Sequence, residues 1–457
     1  MKRYGFYFLC LCSALYGSLT LDQAVDIVKK SNLEIEVAKQ KILSASQKVK
    51  EVSGKNFGSL ELTQTVMRSD DAGNAFGFKL ARREASFADF GFDEFLAQMP
   101  NLMSGQDPDA GAKTLAIEPD KLNYPDAENY FQTKLTYKIP LYTGGQLSSY
   151  EKLLKKMEEF AQLDVKSVIR EKVFEVKKSF YNMALLEATI SHLNTILENL
   201  QTLENTVRSM MKEGYAKEID LLEVQAKKSG VERMINQMKA RKELLYHYLS
   251  FLLNQEVTDI EIVSEDAEMP NVSVDEVVSG NLDIQKAYLG RDMSRDMVDV
   301  EKSKYFPMVG AFAEIQTTDD TFLGDADDHK SWTIGARLTW NIFNGLTDKA
   351  SVERAKVEAL QRATQTELAK KGIILKYKKI TTEIANYNDE IARLEKEFQL
   401  ADRIYQNYRE YYRENLKSMN DVIIKQSQQI EKKLQLLQLK NKRNEAILEL
   451  EKLYKGE

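Results

Sequence analysis

Tyr130-Phe131-Gln132-Thr133-Lys134-Leu135-Thr136-Tyr137-Lys138-Ile139-Pro140-Leu141-Tyr142 is the stretch on which the fold turns. Phe131, Thr133, Leu135, Tyr137, Ile139 and Leu141 fall on one face of an extended chain. Tyr130, Gln132, Lys134, Thr136 and Lys138 fall on the other, the pattern of a strand with unlike faces. Thr143-Gly144-Gly145 follows, and then a helical pattern without proline that runs to about Lys212. The same succession returns 201 residues later, where Ile342-Phe343-Asn344-Gly345 answers Leu141-Tyr142-Thr143-Gly144 and Asp421-Val422-Ile423 answers Asp220-Leu221-Leu222. Nearer the start the offset is 249: Asn281-Leu282-Asp283-Ile284 answers Asn32-Leu33-Glu34-Ile35, and Tyr305-Phe306-Pro307 answers Asn56-Phe57-Gly58. The chain is a duplication whose first copy carries about 48 extra residues between two fixed points.

Each repeat reads as helix, strand, loop, strand and long helical hairpin, the first over 19–254 and the second over 274–457. The acidic segment 255–273, with Pro270, is the expected linker and equatorial cap. Leu21 to Gly54 has helical spacing through Ala24, Val25, Val28, Leu33, Val37 and Ile42, with Thr20 as N-cap. Gly58 to Arg68 alternates, setting Leu60, Leu62 and Val66 against Glu61, Thr63 and Thr65. In the second repeat Val309, Ala311, Ala313 and Ile315 share one face of a strand. Trp332, Ile334, Ala336, Leu338, Trp340 and Ile342 share a face of the next, opposite Thr333, Arg337, Thr339 and Asn341. Strands of about ten residues suit a tilted crossing of a membrane, and Tyr137, Tyr142, Trp332, Trp340 and Phe343 stand where an aromatic girdle is expected. A half-buried sheet in a soluble domain produces the same alternation. The helix after Gly145 spans about 100 Å at 1.5 Å per residue. It carries a coiled-coil seam through Ile169, Val173, Val176, Phe180 and Met183, continued by Leu186, Ile190, Leu193, Leu197 and Leu200. Glu213-Gly214-Tyr215 breaks it before a return from Glu218 to Leu253; the second hairpin breaks at Asn415-Leu416-Lys417-Ser418 and returns from Met419.

The 457 residues include only 7 Pro and 21 Gly, a composition for long helices rather than loops. A net charge of −6 from interspersed acids and bases excludes a nucleic-acid footprint. Residues 1–18 have the layout of a secretory signal peptide; Cys10 and Cys12 lie inside it, without the pattern that precedes a lipidated cysteine. No later segment has the ~18 apolar residues of a membrane helix, so an exported chain is either soluble outside the cytoplasm or inserted as a β-barrel. Four strands cannot close a barrel alone, and lipid does not tolerate open edges, so further strands must come from other copies: two copies supply eight, three supply twelve. His192, His247 and His329 are dispersed and no cysteine accompanies them, so neither a metal site nor a catalytic triad is expected. No phosphate loop or dinucleotide fingerprint occurs, and no cofactor or enzymatic activity is expected. Asp319, Asp320, Asp325, Asp327 and Asp328 crowd the loop 318–330 without the ligand order of a calcium loop, which reads as a solvated outer loop. The extra residues fall in 69–129, whose phenylalanines suggest a folded outer loop that packs on itself or plugs a barrel mouth.

With duplication, paired strands, equal hairpins and the turn Gly214 to Leu222 in hand, the chain resembles the TolC family of outer-membrane efflux and secretion channels. The resemblance covers nearly the whole mature chain. It implies mainly α structure with membrane β: a homotrimer whose twelve strands form an outer-membrane barrel and whose twelve helices continue as a duct through the periplasm. It implies as partners a periplasmic adaptor (membrane fusion) protein, an inner-membrane pump of RND, ABC or MFS type, and outer-membrane lipid. The hairpin tips at Gly214 and Asn415 become the periplasmic entrance and adaptor contact, with Asp421 in the constricting ring and Asp220, Tyr412 and Lys417 in the gating latch. The family's second aspartate, one turn beyond Asp421, is Ile424 here, which implies a single ring and weaker cation selectivity. Asp220 and Asp421 also read simply as caps of the returning helices, Tyr412 as seam packing and Lys417 as a solvated charge. The rival is a soluble periplasmic coiled-coil adaptor or scaffold, in which the same chain covers the apolar strand faces.

Overall fold

The structure is a computed structural model and describes residues 18–264, 266–322, 324 and 327–454. All but the last residue of the expected signal segment 1–18, together with Asp325, lie outside the described residues. The first repeat runs α1 (Leu21–Ser31), α2 (Leu33–Gly54), β1 (Ser59–Ser69), α3 (Ala72–Ala81), α4 (Phe92–Ser104), α5 (Ala110–Leu115), α6 (Asp120–Asn123), β2 (Glu128–Tyr142), α7 (Gln146–Lys212) and α8 (Glu218–Leu253). The second runs α9 (Val274–Gly280), α10 (Leu282–Lys302), β3 (Met308–Asp319), β4 (Ser331–Thr339), α11 (Thr347–Arg413) and α12 (Met419–Tyr454).

The single helix expected over 21–54 is two helices, because Asn32 interrupts it. Its backbone is extended (φ −67°, ψ 127°). Its side-chain oxygen accepts the N–H groups of Glu34 and Ile35, while Nδ2 donates to the Leu252 carbonyl at 2.8 Å. One buried amide thus caps α2 and ties it to the end of α8. Asn281 repeats the device between α9 and α10, accepting from Asp283 and Ile284 and donating to the Leu453 carbonyl at 2.8 Å.

The chain divides into two compact units. The helical unit draws on residues 18–45, 156–293 and 359–454. One of its cores gathers Val28 of α1, Val176, Phe180 and Met183 of α7, and Leu249 and Leu252 of α8. A second is built from α9, α11 and α12 through Val277, Ile384, Leu450 and Leu453, four positions that repeat Val28, Met183, Leu249 and Leu252. A third, near the hairpin breaks, joins Leu193, Leu200, Val224, Tyr405, Tyr412, Met419 and Val422. The seam of α7 departs from expectation at one place: Ile196 is buried and Leu197 only packs against its edge, because the run Leu193, Ile196, Leu200, Leu203, Val207 keeps three- and four-residue steps.

The second unit comprises Ser46–Lys155 and Ser294–Glu358 and holds one antiparallel sheet in the order β1-β2-β3-β4. Gly144 turns the chain from β2 toward α7 with φ +64°; a Cβ there would meet the Ser303 carbonyl oxygen at 2.5 Å. β4 ends at Thr339, short of the alternation that continues to Ile342, because β3 begins at Met308 and offers no partner beyond it.

Candidate functional site

The sheet sorts its residues by face, in rows fixed by register. Leu62, Leu135, Ile315 and Trp332 form one cross-strand row and Leu60, Tyr137, Ala313 and Ile334 the next. This apolar face is bare: Leu62 is 70%, Ile334 73% and Trp332 74% exposed. The rival arrangement, with its own chain covering these side chains, is therefore not what the chain adopts. Tyr142, Trp340 and Phe343 are exposed as well, and Trp340 Nε1 donates to the Tyr305 carbonyl at 3.1 Å while Tyr137 Oη donates to Phe57 at 2.7 Å. Trp332 and Trp340 stand eight residues apart, roughly 26 Å along an extended chain.

The opposite face is polar. Lys134 pairs with Glu314 at 3.7 Å, Lys138 with Glu61 at 3.9 Å, and Gln132 donates to Gln316 at 3.0 Å. A 700 Å³ hollow on this side is lined by Lys138, Phe312, Glu314 and Arg337 among others. Among the described residues β1 and β4 each have one neighbour only, so the sheet is open at both edges. In hydrocarbon each unpaired N–H or C=O costs several kcal/mol, on the order of tens of kcal/mol for an eleven-residue edge.

The insertion between β1 and β2 is folded and anchored to its own chain. Phe78 stacks on Tyr130 at 4.4 Å, and Thr318 Oγ1 donates to the Ala81 carbonyl at 2.8 Å. Arg82, 3% exposed, donates to Glu84, Glu128 and the Asn129 carbonyl, while Arg83 donates to the Lys330 carbonyl at 2.8 Å. Sequence reasoning missed these anchors; the signal was the pair Arg82-Arg83 set against Glu84 in an otherwise apolar segment. The acidic loop forms no metal cluster among the described residues.

The two hairpin breaks are built alike. The Gly214 N–H donates to the Met211 carbonyl at 3.1 Å and Tyr215 to Met210 at 2.8 Å; Asn415 donates to Tyr412 at 3.0 Å and Leu416 to Tyr411 at 2.8 Å. Both pivots take positive φ, +79° at Gly214 and +57° at Asn415, a conformation asparagine tolerates better than most residues. The returning helices are then capped. Asp220 accepts the Lys217 N–H at 2.9 Å, and Asp421 accepts both the Ser418 hydroxyl at 2.8 Å and its N–H at 3.2 Å. The Ser418 bonds hold the Asp421 carboxyl below the usual range. Within one chain Asp220, Tyr412 and Lys417 make no bonds to one another. Lys417 lies over the Tyr408 ring at 5.6 Å. Tyr412, 5% exposed, leaves its hydroxyl without a hydrogen-bond partner among the described residues, and burial, with Asp220 and Glu223 nearby, pushes its pKa up to about 12.

Inside each hairpin two polar rungs recur at equivalent positions. In the first, Gln225 and Lys228 both donate to Glu204, and Lys228 also to Gln201. In the second, Gln426 donates to Tyr405 and Gln429 to Asp402.

Comparison with known proteins places this architecture. No curated protein sequence matches the chain. Residues 274–454, the second repeat, match the family described as outer membrane efflux protein. Among solved structures, CusC superposes with a TM-score of 0.76 at 14% identity, covering 97% of this chain and 96% of CusC. The outer membrane protein VceC of Vibrio cholerae gives 0.74 at 13% identity over 95% and 96%, and the outer membrane channel CmeC of Campylobacter jejuni 0.74 at 13% over 95% and 85%. The second repeat is thus similar in sequence to the outer membrane efflux protein family, and the chain as a whole shares the fold of these solved channels.

Proposed function

We propose that the chain is the exit duct of an efflux or secretion machine: an outer-membrane channel, not an enzyme, working as a homotrimer. The uncovered apolar face of a sheet with two open edges carries this reading. Lipid accounts for the bare face and sister strands for the edges. Tyr137, Tyr142, Trp332, Trp340 and Phe343 take the girdle positions. The hairpins form the periplasmic duct, and the tips around Gly214 and Asn415 receive a periplasmic adaptor that links the duct to an inner-membrane pump of RND, ABC or MFS type. No nucleotide-binding motif occurs in the sequence, so the driving energy belongs to the pump.

The entrance is constricted by Asp421 and held shut by bonds of Tyr412, Lys417 and Asp220 made between neighbouring hairpins in the assembly. The unpartnered Tyr412 hydroxyl, already near Asp220, supports that role. Opening is a rotation of the tips, biased by adaptor contacts. The test is purified protein in planar bilayers. The wild type forms a low-conductance pore, and Tyr412→Phe with Lys417→Leu raises conductance severalfold. Failure of the wild type to form pores would sink the duct; pores of equal conductance in the variant would sink the latch alone.

A further inference from the structure

Glu61, Glu128, Lys134, Lys138, Glu314 and Arg337 are the charged residues on the polar face within the paired rows of the sheet, and Glu128 is held by Arg82 at 3.0 Å and Lys79 at 3.6 Å from the insertion. Four of them form the two ion pairs described above. Arg337 belongs to neither. Gly310 stands opposite it and Met308 and Phe312 diagonal to it, so among the described residues no carboxylate occupies a neighbouring cross-strand position.

Internal duplication shows what lies on its other side in an assembly. The offsets of 249 and 201 convert the pair Leu62↔Leu135 into Ala311↔Ala336, which is the register observed between β3 and β4. Applied to Leu135↔Ile315, the junction between the repeats, the same operation sets Ala336 opposite Val66 of the next copy. Arg337 then faces Thr65 of that copy, with Thr63 and Met67 on the diagonals. No acid reaches it there either.

We propose that Arg337, contributed once by each copy, is the fixed charge that gives the barrel lumen a preference for anionic cargo. The inference rests on the trimeric-barrel reading. Glu61, Glu128 and Glu314 each have a basic partner, so the guanidinium outside these pairs sets the sign on this face. A ring of such groups, backed by a low-dielectric wall, attracts anions and repels cations. Arg337 belongs to the sheet unit and Asp421 to the helical unit, and the two charges are opposite in sign.

Reversal potentials under a potassium chloride gradient test the proposal, read in the wild type and in an Asp421→Asn background that removes the tip carboxylate. Arg337→Gln lowers the chloride-to-potassium permeability ratio by about twofold, the order expected of a charge felt across roughly one Debye length. Arg337→Lys retains the ratio, and the difference shrinks as salt is raised. An unchanged ratio in Arg337→Gln pores of normal conductance overturns the proposal. Absence of pores from the wild type overturns the barrel reading instead.

Discussion

Asn32 and Asn281 each satisfy three demands with one residue: they end a helix, cap the next, and tie it to a carbonyl at the end of the return helix inside the protein. Their recurrence was legible in the sequence as the most nearly identical tetrapeptides of the two copies. Their work was not, since alternation and helical spacing say nothing of a side chain that bonds to a residue some two hundred positions away. Replacement by alanine loses the cap and strands a buried carbonyl, so Asn281→Ala and Asn32→Ala should each destabilise the fold by about 2–3 kcal/mol. Thermal unfolding of the purified protein checks this. The two variants should fall by similar amounts, because the geometry is the same in both repeats.

At the scale of the element, the hairpins were predictable to within a residue or two. Heptad seams and the breaks at Gly214 and Asn415 are local signals, and the left-handed conformation of Asn415 follows from its substitution for glycine. The polar rungs were not legible, because nothing in either helix alone shows that Glu204 faces Gln225 or that Tyr405 takes the same place opposite Gln426. The sheet's faces were legible and the end of β4 was not, for that end is set by the length of its neighbour. The rungs differ in chemistry, and this has a measurable outcome. Bonds from Arg208 and Gln225, reinforced by Lys228, hold Glu204 down to about 2, below its ordinary 4.5. A depressed carboxyl stabilises the fold above its unfolded pKa and loses that contribution as pH falls through the folded value. The first hairpin should therefore loosen between about pH 4.5 and 2 while the second, with Tyr405 in the rung, does not respond through this position. Hydrogen exchange along α7 and α11 separates the two, and Glu204→Gln should remove the part of the acid response that belongs to the first hairpin.

For the whole molecule, duplication turns one chain into a guide to its neighbours. The junction of β2 with β3 joins the end of one repeat's sheet to the start of the next, and on the proposed barrel reading β4 makes the same junction with β1 of another copy. It also explains why the alternation at Trp340 and Ile342 outlasts the observed strand: their equivalents Ile139 and Leu141 lie where β2 is held by β3, and in the transferred register Trp340 and Ile342 meet Leu62 and Leu60 of the next copy. Two cysteines introduced as Leu338→Cys and Gln64→Cys should face each other across that junction, with Cβ atoms about 5 Å apart, near enough for oxidation to join them with slight adjustment. Outer membranes treated with a mild oxidant should then yield covalent dimers and trimers and no larger species. Leu338→Cys with Leu60→Cys, four residues out of register and roughly 13 Å apart, should not cross-link. Strong cross-linking of the second pair and none of the first would show that the repeats do not share one register, and cross-linking of neither would show that β4 and β1 of separate copies do not meet.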